Sequence, residues 1–339
     1  MKALLYARFL SLPLLIILGF LLGGWWNFIT PVVCFIIHPF LNLLRRNHFK
    51  PGPEISRDHS YTYRFIERMY VPVLIGISVW ACYQSSTLSG VAFAGMAIST
   101  GLLNGILGFT IAHELIHRTN KWEKNTGYIL LLNNLYMHYG IEHIWGHHVY
   151  ASTVKDPHTA RLGQSFYHFL PWAIVRTFLN ACEIEKRKLK RQNKNWFSIF
   201  NRIHFFLLLQ ITVTVILQLL LGWQSVLFYI LQSLVAIILL HAVNYLQHYG
   251  LARKEILPGQ VERMAEHHAW NSGNRLNGLS LFQLENHAHH HLHPTHPYES
   301  LKATKSSPAY PTGYSGMIML SLIPQLWFSI VHKRLHLTT

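Results

Sequence analysis

The sequence predicts an all-α integral membrane protein: six transmembrane helices in three hairpins, with a cytoplasmic histidine-rich helical cap. Three observations predict it. Half of the 339 residues are apolar and only 13% are charged, against about a quarter in a soluble domain. Three long stretches, 9–44, 69–112 and 203–252, contain no Asp, Glu, Lys or Arg. Finally, the chain carries 24 histidines, many of them in clusters.

One crossing of the hydrocarbon core takes about 20 helical residues, so each uncharged stretch holds about two crossings. Each has a turn-like centre: Gly23-Gly24-Trp25-Trp26-Asn27, Gln84-Ser85-Ser86-Thr87-Leu88-Ser89-Gly90, and Gly222-Trp223-Gln224-Ser225. The expected spans are 9–26, 28–44, 69–85, 90–112, 203–221 and 226–247, all within one membrane-embedded domain covering 1–339. Pro31 and Pro39 interrupt the second of them.

The chain has 29 Lys and Arg against 14 Asp and Glu. A +15 excess fits either nucleic acid or a membrane surface. Position decides between them. The three central turns carry no Lys or Arg, so every basic residue falls on the other side. The positive-inside rule puts both termini and the segments 45–68, 113–202 and 253–339 in the cytoplasm, beside membrane lipid, with no nucleic acid as partner. The expected location is a bacterial inner (plasma) membrane. Met1-Lys2 precedes an apolar run but no small-residue cleavage site follows, so the reading is an uncleaved first helix. The apolar segments 125–141 and 315–331 contain Asn133, Asn134, His138 and Pro324, and are expected on the cytoplasmic membrane surface. The basic run 183–194 reads as a helix facing anionic lipid or an acidic partner.

Cys34, Cys82 and Cys182 lie far apart and suggest neither a disulfide framework nor a thiolate metal site. The histidines suggest a nitrogen-ligand site instead. In His113-Glu-Leu-Ile-His117 the i, i+4 spacing places both imidazoles on one helix face. Alone, this is also the zinc metalloprotease pattern, with Glu114 as base. His143 and His147 repeat the spacing, and His148 adds a donor. His248 ends the last span, with His241 two turns earlier on the same face. His287, His290 and His291 can form one face of a fourth cluster, from which His289 and His293 point away.

These are nine candidate metal ligands: His113, His117, His143, His147, His148, His248, His287, His290 and His291. One zinc needs three or four protein ligands, so nine suit two ions. Imidazole favours zinc, iron or copper over magnesium or calcium. All four elements lie on the inferred cytoplasmic side, where helix ends can converge on one site. Glu114, Glu142, Asp156 and Glu285 are candidate acceptors for the second ring N–H of a ligand. Sequence assigns none of them to a particular histidine.

Four patterns resemble the motifs of bacterial membrane alkane monooxygenases, within the fatty acid desaturase and hydroxylase superfamily. They are His113-Glu-Leu-Ile-His117-Arg118, Glu142-His143-x-x-Gly146-His147-His148, Asn244-Tyr245-x-x-His248-Tyr249-Gly250 and His287-x-x-His290-His291. The likeness continues in Asp156-Pro157, Gly163-Gln164-Ser165-Phe166, Trp270-Asn271-Ser272, Tyr298-x-Ser300-Leu301 and Pro311-Thr312-Gly313-Tyr314. The resemblance implies a cytoplasm-facing, non-haem diiron site held by nine histidines. It implies O2-dependent hydroxylation of an unactivated C–H bond, commonly the terminal methyl of an alkane or similar apolar chain drawn from the bilayer. It also implies electrons from rubredoxin and its reductase. The chain has no Gly-x-Gly-x-x-Gly motif and no cysteine cluster of its own, so electrons come from outside. Three positions depart from the family: Gln247 stands where Glu is common, Arg118 where Lys is frequent, and Asn286-His287-Ala288 where Arg-His-Ser is usual. Gln247 is expected to weaken support of His248. Rival readings are an acyl-lipid desaturase, an intramembrane zinc protease and a metal transporter.

Overall fold

The computed structural model describes residues 4–7, 10–44, 60–272, 281–304 and 306–335. Of the expected cytoplasmic segment 45–68, only 60–68 falls among them. Within the described residues, five helices are long and apolar enough to cross a membrane: Gly24–Leu41, Tyr61–Thr87, Gly90–Ile116, Arg202–Leu221 and Trp223–His248. The expected first span is a shorter helix, Ser11–Leu22, of 12 residues. At about 1.5 Å per residue it reaches about 18 Å, well short of a hydrocarbon core of about 30 Å. Gly23 stops it by taking φ 74°, and its N–H bonds Gly19 O at 3.0 Å.

The other two breaks fall at the expected turns and have clear local causes. Ser85 Oγ and Thr87 Oγ1 donate to Cys82 O and Gln84 O at 2.7 and 2.8 Å. These hydroxyls satisfy carbonyls that the ending helix leaves without partners. Gly222 closes the Arg202–Leu221 helix at φ 83°, and the next helix begins at Trp223. The described residues are otherwise mostly helical, with one correction to the all-α expectation. Glu255–Leu257 and Gln260–Val261 pair as a small antiparallel hairpin, turned by Gly259 at φ 78°.

The chain divides into two compact units. The first comprises Met1–Val33, Thr62–Trp145 and Thr177–Leu240. Its helices pack through glycine: a Cβ on Gly101 would stand 2.6 Å from Gln232 O, and one on Gly105 would stand 2.8 Å from Leu239 Cδ2. Close approach of this kind replaces the hydrophobic drive that lipid cannot supply. Polar side chains then bond across the same helices. Asn104 Nδ2 donates to Ser78 Oγ and to Gln232 Oε1, both at 2.9 Å, and Asn133 Nδ2 donates to Asn104 Oδ1 at 3.1 Å. Gln210, inside an apolar helix, accepts from Met137 N at 3.2 Å. The basic run is helical as expected, to Arg191. Its Glu185 is buried and binds Lys188 at 2.8 Å and Arg202 at 2.7 Å.

The second unit comprises Cys34–Tyr61, Gly146–Arg176 and His241–Thr339. Its described core is aromatic. Trp270 stacks on Tyr310 with centroids 4.4 Å apart, and Trp327 lies 5.2 and 5.1 Å from Tyr245 and Tyr249. The polar tips of Trp270, Tyr310 and Tyr245 find backbone carbonyls, as buried Trp and Tyr favour, Tyr245 donating to Gln164 O at 2.7 Å. Trp270 Nε1 donates to Tyr249 O at 2.8 Å, and Tyr310 to Leu246 O at 2.6 Å. These bonds fasten the end of the Trp223–His248 helix to segments 270–272 and 308–310. Asn271 N and O complete the brace, bonding Pro308 O and Tyr310 N.

Candidate metal centre

In the first unit three histidines come together. His113 lies in the Phe109–Ile116 helix and His117 is its C-cap, one turn on. Their ring centroids are 5.0 Å apart. His143 opens the π-helical turn His143–His147, and its ring lies 4.5 Å from that of His113 and 5.1 Å from that of His117. The Nε2 atoms of His143 and His117 are 3.0 Å apart. On the far side of the His143 ring, Nδ1 lies 3.1 Å from the Tyr139 hydroxyl.

In the second unit His147, His248, His287 and His291 form a fully buried group, with ligand atoms within 4.8 Å of one another. Nε2 of His287 is 2.9 Å from that of His291 and 3.0 Å from that of His248, and the third edge is 3.2 Å. The His147 ring sits 4.9 and 4.8 Å from those of His248 and His291. His148 and His290 face each other, Nε2 to Nε2 at 3.2 Å. Thus the expected pair His143 and His147 divides between two groups, and so does the trio His287, His290 and His291. Four helical residues rise about 6 Å, enough for neighbours one turn apart to serve different ions.

The second ring nitrogens show why these are metal-type arrangements. His147 Nδ1 lies 3.0 Å from Asp156 Oδ2. His248 Nδ1 lies 3.3 Å from both Ser152 Oγ and His268 O. A carboxylate and a carbonyl only accept, so each Nδ1 carries the proton and each Nε2 presents a lone pair. His248 Nε2 then faces two more imidazole nitrogens at 3.0 and 3.2 Å in a buried space. With Nε2 of His287 and His291 also deprotonated, three lone pairs would converge there, an arrangement that a cation satisfies. Ligands at right angles, each about 2.1 Å from one ion, stand about 3.0 Å apart, which matches these edges. The residues therefore fit a nitrogen-ligated transition metal. Burial, followed by the neighbouring imidazoles of His287, His147, His148 and His248, lowers the His291 pKa well below its ordinary value. Its imidazole is therefore neutral, as a ligand must be.

Of the four candidate acids, Asp156 bonds a candidate ligand, His147. Burial raises its pKa, but His147 more than offsets this and holds the carboxyl well below its ordinary range. Glu114 is engaged otherwise: its Oε1 is 2.7 Å from Arg118 Nη2, which also reaches Glu67 Oε2 at 3.2 Å, all three side chains being buried. Glu142 and Glu285 are buried. His289 and His293 pack on each other and on His296. His241 stacks on His158, whose Nδ1 is 2.6 Å from Asn244 Nδ2. Sequence reading missed Tyr139, Ser152, Thr159 and His268. Only Tyr139 carried a signal, standing four residues before His143. The supports of His248 are Ser152 and His268, so the residue at 247 does not decide them. The backbone carbonyl at 247, which any residue would supply, accepts from Trp270 N at 2.9 Å.

Residues 88–321, which hold every candidate ligand, match the fatty acid desaturase family. The chain is 34% identical to alkane 1-monooxygenase 2 of Pseudomonas aeruginosa, over 95% of this chain and 90% of that protein. It is 33% identical to alkane 1-monooxygenase 2 of Alcanivorax borkumensis, over 83% of this chain and 74% of the relative. A xylene/toluene monooxygenase hydroxylase component of Pseudomonas putida is 27% identical over 71% of this chain and 63% of its own length. A third of all positions shared along nearly the whole chain leaves one conclusion: the chain belongs to the alkane 1-monooxygenase family, within the fatty acid desaturase family.

Proposed function

We propose that this chain is a diiron membrane hydroxylase. It inserts one atom of O2 into an unactivated C–H bond, the terminal methyl of an alkane or a similar apolar chain. The observation that carries the reading is the buried set of Nε2 atoms of His248, His287 and His291, 2.9 to 3.2 Å apart. Family membership turns that metal reading toward oxygen chemistry. His113, His117, His143, His147, His148, His248, His287, His290 and His291 hold the two ions. Iron, when bound, supplies the binding and reduction of O2. One oxygen atom enters the C–H bond, and the other leaves as water with two electrons and two protons from the donor side.

The chain's own residues hold the ligands. Asp156 keeps the proton of His147 on Nδ1, and His268 O with Ser152 does the same for His248. That fixes which nitrogen faces the metal and raises its basicity. The substrate comes from the bilayer, past helices whose outer faces carry Leu208, Ile211, Leu219 and Leu220. Electrons come from rubredoxin and its reductase, docking on exposed Arg187, Lys190 and Arg191. The topology is six-span, with Ser11–Leu22 as the first limb of the first hairpin. Both termini lie in the cytoplasm, in a bacterial inner membrane.

The test is product analysis with a linear alkane under labelled O2. A terminal alcohol carrying one labelled oxygen is expected. An alkene without label would assign the chain to the desaturase reading, which the wider family keeps open.

A further inference from the structure

Ser152 occupies an unusual position. Its φ is 59°, in the left-handed region where an L residue is strained and glycine is the ordinary choice. It is also fully buried. Each of its polar groups has a partner. The amide N–H donates to Thr159 Oγ1 at 2.9 Å, and the hydroxyl donates to His268 O at 2.7 Å. The carbonyl accepts from Arg253 N at 2.8 Å.

Two of these bonds lead to candidate ligands. From the amide, Thr159 donates its hydroxyl to Asp156 Oδ2 at 2.6 Å, and the same oxygen accepts from His147 Nδ1 at 3.0 Å. From the hydroxyl, the path is shorter. His248 Nδ1 lies 3.3 Å from Ser152 Oγ and 3.3 Å from the carbonyl to which that hydroxyl is bonded. His147 and His248 are 101 residues apart in sequence, yet one residue ties the outer nitrogens of both.

Glycine would relax the backbone here, but it has no hydroxyl. Strain kept at a buried turn points to a function that the strained residue alone supplies. We propose that Ser152 is a positioning residue that fixes His147 and His248 together, setting the direction of both Nε2 atoms toward the metal. This rests on the diiron reading above. His268 belongs to the same device. Its Nδ1 accepts from Ala265 N at 3.0 Å, and its Nε2 lies 3.2 Å from Glu262 Oε1. The ring is thus anchored on both sides, and its carbonyl is held for His248.

The test uses the full-length detergent-purified protein, with ferrous iron as probe. Ser152→Gly keeps the left-handed backbone and removes the hydroxyl. Iron affinity is read by chelator competition, site symmetry by Mössbauer spectroscopy after iron-57 loading, and folding by the melting midpoint of the metal-free protein. The expected result is iron affinity about 10- to 100-fold weaker and an altered quadrupole doublet, with the metal-free midpoint unchanged or raised. Affinity within about twofold of the parent would overturn the proposal. So would a fall in affinity matched by a fall in the metal-free midpoint, which marks a merely structural role. Thr159→Val provides the second arm, with Thr159→Ser as its rescue. Valine cuts the amide path and is expected to alter the same doublet, and serine to restore it; an unaltered doublet in Thr159→Val would count against the proposal. A parent protein that takes up no iron would refute the diiron reading itself, before any variant is compared.

Discussion

Arg118 binds the carboxylate of Glu114 at 2.7 Å, one helical turn along from it. Glu114 is the residue that a zinc protease would use as its base, and here it is committed to a buried guanidinium. Arg118 also reaches Glu67 at 3.2 Å. Both contacts come from the same nitrogen, Nη2. Arg118→Leu leaves two buried carboxylates without their cation and should cost about 3–5 kcal/mol. A melting midpoint equal to the parent's would show that the pair is not structural. Arg118→Lys should fall between the two.

Gly101 presents a different kind of test. The nearest atom to an added Cβ is a backbone oxygen, Gln232 O at 2.6 Å, which cannot rotate away. Gly101→Val should therefore push the two helices apart and destabilise the protein by about 1–3 kcal/mol. Gly76 has nothing within 4 Å of its added Cβ, so Gly76→Ala is the matched control and should be neutral or slightly stabilising. Comparable losses in both would refute the close-packing account.

Acid sensitivity follows from Glu185. Burial raises its pKa, but hydrogen bonds from Arg202 and Lys188 outweigh this and hold it below the ordinary value. A carboxylate depressed in the folded state stabilises fully above its unfolded pKa of about 4.3, and that stability is lost as pH falls through the folded value. Glu185→Gln should thus lower the melting midpoint at neutral pH. The gap to the parent should narrow as pH drops below about 4.3. A gap constant from neutral to acid pH would contradict the assignment.

The basic helix carries the docking prediction, and the structure narrows it. Lys188 is tied to Glu185 at 2.8 Å, whereas Arg187, Lys190 and Arg191 are exposed. Replacing those three by alanine should weaken the apparent affinity for the proposed donor, rubredoxin, about tenfold at low salt and flatten its salt dependence. The turnover rate at saturating donor should not change. Unchanged affinity would move the docking surface elsewhere.

Much of the site was legible because its signals are local. His113 with His117, and His287 with His291, are read from i, i+4 spacing, and the structure brings each pair together. The turns near Gly23 and Gly222 were legible from their glycines, both of which take positive φ. What spacing cannot show is which of two neighbouring groups a histidine joins. His147 joins His248, His287 and His291, where Asp156 holds its ring from a turn nine residues on. The supports of His248 were illegible for a related reason. One is a serine 96 residues away, and the other is a backbone carbonyl, which no side-chain pattern encodes. The expected first span, 9–26, is longer than the helix Ser11–Leu22 because it runs on into the turn that Gly23 opens.

The central claim is that these histidines hold two iron ions, and counting the metal tests it most directly. Iron per chain should be measured in detergent-purified protein, with Mössbauer spectroscopy after iron-57 loading. Two irons per chain are expected, with His287→Ala losing at least one of them. A single zinc per chain with no stably bound iron would contradict it.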